Sequence, residues 1–256
     1  MSNPNREIDK THLSIDQAEE RGFIHRDYLA HCLRWSHVVK HLGKKQAYKT
    51  ARILDIGCGK ETPLIKTLYT MKMTPEVYVG VDYNKPVKQE IHNKIYDKMG
   101  GGNFELLWNW DCSLKNAFIS SMDFTPTLIT CFEVLEHVTH EKVLGIIDNI
   151  KSLSTCDTTI FISTPCFNGK AAANHINEMT YEFMYDLMEE HFVIEDKWGT
   201  FASQRDIEPA LTGDSLQCAY ESLKDYYDSN ILSVIFAPLF PSKSRNCLWK
   251  LSVKTS

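Results

Sequence analysis

Apolar residues in this chain fall into short runs separated by stretches with helical spacing. Ile53-Leu54-Asp55-Ile56, Val77-Tyr78-Val79-Gly80-Val81-Asp82, Phe104-Glu105-Leu106-Leu107-Trp108, Leu128-Ile129-Thr130-Cys131-Phe132 and Thr159-Ile160-Phe161-Ile162-Ser163-Thr164-Pro165 are too short for core helices. Glycine, proline or acidic residues bound them, so they read as strands. Val193-Ile194-Glu195 begins a sixth strand, and Leu248 to Val253 supplies a seventh. Helical patterns alternate with them. Pro63 suits the first helical position with Thr62 as its cap. Val143, Leu144, Ile147 and Ile150 make an inward stripe, and Thr180 caps a helix carrying Met184, Leu187 and Met188.

Upstream, Ser14 and Gln17 form a capping-box signature for a short helix ending near Gly22. Tyr28, Cys32, Trp35, Val39 and Leu42 then recur at three- and four-residue steps, the apolar face of a longer helix whose other positions carry His31, Arg34, His37 and His41. Gly100-Gly101-Gly102 breaks the chain before the third strand. Between the sixth and seventh strands lies an addition, about 204–245, with a helix through Tyr220, Leu223 and Tyr227 and a loop at Pro238 and Pro241. Strands alternating with helices predict an α/β fold: a mostly parallel seven-stranded sheet with helices on both faces and an N-terminal helical extension. The expected division is a helical cap over 1–49 and a single domain over 50–256.

Composition narrows the picture. The 256 residues, 43% hydrophobic and 24% charged, suffice for one large domain with a full core. No apolar run reaches the length of a membrane span, and the first residues lack a signal-peptide core. Eight cysteines are scattered without a Cys-x-x-Cys pair, as expected of reduced thiols in a cytoplasmic protein. The net charge of −5 is uneven: residues 21–52 hold eight Lys/Arg and four His against Asp27 alone. Such an arm is either a solvated helix face or a contact for an anionic partner, nucleic acid included.

The chemistry centres on Asp55-Ile56-Gly57-Cys58-Gly59. A strand running into a glycine-bearing turn lets backbone approach a ligand closely. Asp55, two residues before the first glycine, would repel a pyrophosphate and attract a cation such as an α-amino group. At these residues the chain resembles the class I, Rossmann-like S-adenosylmethionine-dependent methyltransferases. The resemblance implies S-adenosylmethionine as cofactor, held by Asp55, Gly57, Cys58 and Gly59. It also implies Asp82 on the ribose hydroxyls, Asp111 on the adenine amino group with Trp110 and Cys112 flanking the ring, and Tyr83 and Phe132 as further cofactor-binding residues. Thr62 stands where a longer fingerprint has a third glycine. The addition at 204–245 would line the substrate pocket.

The acceptor side is carried by Glu133-Val134-Leu135-Glu136-His137, with His175 further on. If a helical turn starts at Glu133, positions 133, 136 and 137 project on one side, and two carboxylates beside an imidazole call for something cationic. A similar Glu-x-x-Glu-His element occurs in ubiquinone-biosynthesis O-methyltransferases and in small-RNA 2′-O-methyltransferases. In the latter it binds a divalent metal with a further histidine, which implies Glu133, Glu136, His137 and His175 as ligands for Mg²⁺, Mn²⁺ or Zn²⁺. Without metal, the same element shapes the pocket, and His137 with Glu136 would be the catalytic pair. The turn after the fourth strand lacks the Asp/Asn-Pro-Pro-aromatic signature of amino-group DNA methyltransferases. Pro165-Cys166 follows the wrong strand to be a cytosine-methyltransferase nucleophile. The expected activity is therefore O-methylation of a small-molecule or nucleotide-like acceptor. The alternatives are methylation of a nucleic-acid hydroxyl, and a non-catalytic cofactor-binding subunit.

Overall fold

The computed structural model describes residues 26–60, 62–84, 104–114, 124–169 and 171–254. The Ser14–Gln17 capping box, the Gly100–Gly102 break and the start of the basic arm lie outside the described residues. Among those described, β1 (Arg52–Ile56), β2 (Val77–Asp82), β3 (Phe104–Trp108), β4 (Leu128–Phe132), β5 (Thr159–Pro165), β6 (Phe192–Phe201) and β7 (Asn246–Val253) form one sheet in the order β3-β2-β1-β4-β5-β7-β6. β1 to β5 pair in parallel; β7 is antiparallel to both β5 and β6. The strand order reverses between β1 and β4, where ligands bind at the carboxyl edge of such sheets.

Two apolar layers cover the sheet, and each strand divides its side chains between them by simple alternation. Leu54, Ile56, Ile160, Ile162, Trp249 and Leu251 point to one face, where α3 (His140–Leu153) and α4 (Tyr181–His191) bury Val143, Ile147, Ile150, Met184 and Met188. Ile53, Tyr78, Phe161 and Leu248 point to the other, under α1 (Arg26–Gly43) and α2 (Pro63–Thr70). Thr180 caps α4 as expected, accepting from the Phe183 N–H. Thr62 does not cap α2: its backbone is left-handed (φ 46°), its side chain makes no capping bond, and only Pro63 fulfils its expected role.

The addition contains more helix than its sequence pattern suggested. α5 (Gln204–Ile207), α6 (Asp214–Lys224) and α7 (Ser229–Phe236) enclose a small core of their own around Ile207, Tyr220, Leu232 and Phe236. Tyr227 falls between helices and is exposed. α1 also departs from its expected stripe. The buried line is Ala30, Arg34, Val38 and Leu42, whereas Cys32, Trp35 and Val39 are half-buried. The helix is rotated so that an arginine lies in the middle of its buried face. No described helix is long and apolar enough to cross a membrane.

Candidate functional site

Parallel pairing brings the carboxyl ends of β1 to β5 to one edge, and every residue singled out for chemistry sits on that edge or in the loops beyond it. The turn after β1 is fixed by backbone: the Gly57 and Cys58 N–H groups donate to Val81 O at 2.8 and 3.1 Å. Gly57 has φ 70°, and a Cβ there would meet Val134 Cγ2 at 2.1 Å. Glycine is thus required twice over, by conformation and by the loop that follows β4. Beyond the turn, the Gly59 N–H donates to Asp82 Oδ2 at 3.0 Å and the Asn84 N–H to Oδ1 at 2.7 Å. Burial pushes the Asp82 carboxyl up, while these two backbone donors and Lys60 oppose the rise. Tyr83 is largely exposed, and Cys58 and Cys112 are buried.

The Asp55 carboxylate is 3% exposed and turned into the sheet, accepting from Tyr78 Oη at 2.6 Å and Thr130 Oγ1 at 2.7 Å. It clamps β2 and β4 to β1. Burial raises its pKa to about 6, against the pull of the two hydroxyl donors. Past β3, Trp110 is half-buried against the main core and its N–H donates to Asp82 O. The Asp111 carboxylate accepts from Ser113 and from Lys142. Phe132, at the end of β4, is half-buried on the α1 side of the sheet.

The loop after β4 separates the two glutamates. Glu133 has a left-handed backbone (φ 55°), and the helical turn begins only at Leu135. The side chains of 133 and 136 consequently part. Glu133 accepts from Ser163 Oγ at 2.9 Å and Asn246 Nδ2 at 2.6 Å, and its Oε1 lies 3.6 Å from Arg34 Nη1. The inward Arg34 on the buried face of α1 thus lies beside a half-buried carboxylate of this loop. Glu136 is 1% exposed, and its Oε1 has no hydrogen-bond partner. Burial, then the neighbouring Glu133, push its carboxyl well above the usual range, with Arg34 opposing.

His175 reaches Glu136 and His137 because the loop after β5 is pinned to Glu136, whose carbonyl accepts from the Ile176 and Asn177 N–H groups at 3.0 and 3.1 Å. The two imidazoles stand 4.9 Å apart, nearly perpendicular. His137 Nδ1 lies 3.0 Å from Asn174 O, and His175 Nδ1 lies 2.5 Å from Glu178 Oε1. A carbonyl and a carboxylate only accept, so each Nδ1 carries a proton, which in the neutral tautomer leaves Nε2 as the acceptor atom. One ligand atom from each of Glu136, His137 and His175 lies within 4.8 Å of the others. Glu133 is not in this group. The Cys166 thiol is buried and pushed up to about 12, which is no nucleophile.

Sequence reasoning missed Ser163, Asn246, Glu178 and Lys142. Glu178 stood three residues beyond His175, the spacing of a local side-chain pair; the others come from distant elements and leave no local signal.

Residues 25–212 match the family model described as a methyltransferase domain. No curated protein sequence matches the chain. Among solved structures, the fold resembles a 1,6-didemethyltoxoflavin-N1-methyltransferase from Burkholderia thailandensis with 1,6-didemethyltoxoflavin and S-adenosylhomocysteine bound, at 14% identity and TM-score 0.56 over 100% of this chain and 92% of that one. It also resembles magnesium protoporphyrin IX methyltransferase from Synechocystis PCC 6803 with bound S-adenosylhomocysteine, at 12% identity and TM-score 0.55 over 89% and 85%. The small RNA methyltransferase HEN1 is similar at 15% identity and TM-score 0.53, over 86% of this chain but 25% of that one. At these identities the likeness is one of fold.

Proposed function

The chain belongs to the methyltransferase-domain family and is an S-adenosylmethionine-dependent methyltransferase; on that premise we propose that it methylates an oxygen of a small-molecule or nucleotide-like acceptor, with a divalent metal held by Glu136, His137 and His175. The observation that carries this reading is the convergence of one ligand atom from each of Glu136, His137 and His175 within 4.8 Å, with Glu136 Oε1 lacking a hydrogen-bond partner and both imidazoles held through Nδ1. Imidazoles oriented by a carbonyl and a carboxylate are the usual support of metal ligands. Two nitrogens and one oxygen suit Mn²⁺ or Zn²⁺ better than Mg²⁺.

Glycines 57 and 59 with Cys58 would admit the methionine part of the cofactor. Asp82 would take the ribose hydroxyls on the lone pairs that Gly59 and Asn84 leave open. Asp111 would accept from the adenine amino group, with Trp110 and Cys112 flanking the ring and Tyr83 and Phe132 as further cofactor-binding residues. Asp55 acts through the strands it clamps. S-adenosylmethionine supplies the methyl group when bound, and the metal supplies a Lewis acid that lowers the pKa of a hydroxyl. The rest is orientation by this chain's residues. Val134, against Gly57, brings the acceptor loop to the cofactor turn, and His137 Nε2 and Glu136 Oε1, 3.8 Å apart, face the position of an acceptor hydroxyl. Cap 1–49 and the addition at 204–245 would enclose the acceptor above the 50–256 domain.

Methylation of a nucleic-acid hydroxyl draws less support. Of the basic arm, Arg34 is buried against Glu133, while exposed Lys44, Lys45 and Lys49 precede β1 and so lie at the opposite edge of the sheet. The test is removal of metal. Exhaustive chelation should abolish turnover, measured as S-adenosylhomocysteine release over a pool of hydroxyl acceptors, while calorimetry finds cofactor affinity nearly unchanged. His175→Ala should behave alike, with partial rescue by excess Mn²⁺. Full activity of metal-stripped protein would remove the metal from the reading.

A further inference from the structure

The loop after β3 is held by a helix that is not its neighbour in sequence. α3 follows β4, yet residues 142, 145 and 149, at helical i, i+3, i+7 spacing on one face, all meet residues 111–113. Lys142 Nζ donates to Asp111 Oδ2 at 2.6 Å. Asn149, fully buried, donates from Nδ2 to Cys112 O at 2.7 Å. Gly145 approaches so closely that a Cβ would sit 2.6 Å from Ser113 O. None of the three belongs to the apolar stripe of α3, which is Val143, Ile146, Ile147 and Ile150.

The hydrogen-bond inventory of Asp111 is specific. Oδ1 accepts from the Ser113 N–H at 3.1 Å and its hydroxyl at 2.5 Å, which uses both of its lone pairs. Oδ2 accepts from Lys142 and keeps one lone pair. A carboxylate so bonded offers room for a single further N–H donor. The Lys142 side chain is 44% exposed, and a pair so open to water adds little to stability. Its effect is on where the carboxylate points and on its charge.

We propose that Lys142 is a specificity-determining positioning residue for the cofactor: with Ser113, it fixes Asp111 as an acceptor-only group at the 6-position of the purine, so that the site takes a 6-amino ring and rejects a 6-oxo one. This rests on the assignment of Asp111 to the adenine amino group made above. The electrostatics agree. Burial would raise the Asp111 carboxyl, but the Lys142 and Ser113 hydrogen bonds outweigh it and hold the group below the usual carboxylate range, while Asp111 in turn raises the Lys142 ammonium, with Tyr83 adding to the rise.

Calorimetric titration with S-adenosylhomocysteine and its 6-oxo counterpart, S-inosylhomocysteine, tests the idea. In Lys142→Met, affinity for the 6-amino ligand should fall roughly three- to tenfold, the scale of one ordinary net hydrogen bond, and the preference over the 6-oxo ligand should shrink with it. Acid loss of binding should begin at higher pH, because Asp111 returns towards its ordinary range. Lys142→Arg should restore both. Equal weakening of both ligands would mark a merely structural role and overturn the proposal, as would wild-type affinity and preference. Asp111→Ala separates the two readings. If it leaves 6-amino affinity unchanged, the assignment of Asp111 fails; if it weakens binding while Lys142→Met does not, only the role of Lys142 fails.

Discussion

The two sides of the strand-order reversal are built by different means. On the β1–β2–β3 side, the site is mostly backbone: a glycine turn, N–H groups directed at Asp82, and a short loop at 110–113. On the β4–β5–β7 side it is made of side chains drawn from far apart, with Glu133 joined to Arg34, Ser163 and Asn246, and Glu136 beside His137 and His175. A site made of backbone suits a ligand that never changes. A site made of side chains can be retuned for a new acceptor without disturbing the sheet. The two glutamates sharpen the contrast: three residues apart, one is committed to holding α1, while the other accepts a single side-chain bond, from Thr164 Oγ1 on Oε2, and keeps Oε1 without a hydrogen-bond partner.

The largest effect should come from the one place where the sides touch through a missing side chain. Gly57→Ala places a methyl group against Val134 at a positive φ, and strain plus overpacking should cost about 3–5 kcal/mol in denaturant unfolding. Val134→Ala in the same protein should recover part of that loss; no recovery would mean the sides are not in contact there.

The second effect belongs to the clamp under the turn. Asp55 has its folded pKa raised to about 6, so between its unfolded value near 4 and pH 6 the folded protein binds more protons than the unfolded chain. Stability should therefore fall as pH rises through that window and level off above it. A shift of about two units corresponds to about 3 kcal/mol. Asp55→Asn should lessen this slope in a plot of unfolding free energy against pH, the remainder coming from the raised carboxyls of Asp82 and Glu136, and an unchanged slope would show that Asp55 carries none of it.

Smaller still is the effect of Glu133→Gln. It leaves Arg34 buried without its counter-charge, while the partly exposed glutamate moderates the cost, so about 2 kcal/mol of stability should be lost. Mn²⁺ affinity should hardly change, because Glu133 is not in the ligand group. Loss of metal binding on this substitution would erase the distinction between the two glutamates.

Where the chain signalled itself in sequence, it did so through periodicity and local geometry. β2 to β5 occupy their expected spans: β2, β4 and β5 are buried strands with apolar residues on both faces, and the edge strand β3 is a short, mostly apolar run with a sharp boundary. The stripe of α1 misled because Arg34 took an inward position that its side chain alone would never suggest, and its partner there, Glu133, lies about a hundred residues away. The partners of Asp55 were hidden for a similar reason, as Tyr78 and Thr130 meet it only when three strands align. Glu136 and His137 were legible from their residue types and spacing, and His175 joined them, with Glu133, only through the family resemblance. Which carboxylate would join them depended on a positive φ at Glu133, for which the sequence carries no sign.

The antiparallel insertion of β7 between β5 and β6 has a consequence for how the molecule comes into being. β6 pairs only with β7, so during synthesis it has no place in the sheet until Asn246 to Val253 have left the ribosome. Asn246 also holds Glu133. The backbone-built side has all its strands early on the growing chain, whereas the β4–β5 side lacks its antiparallel neighbour until that late strand arrives.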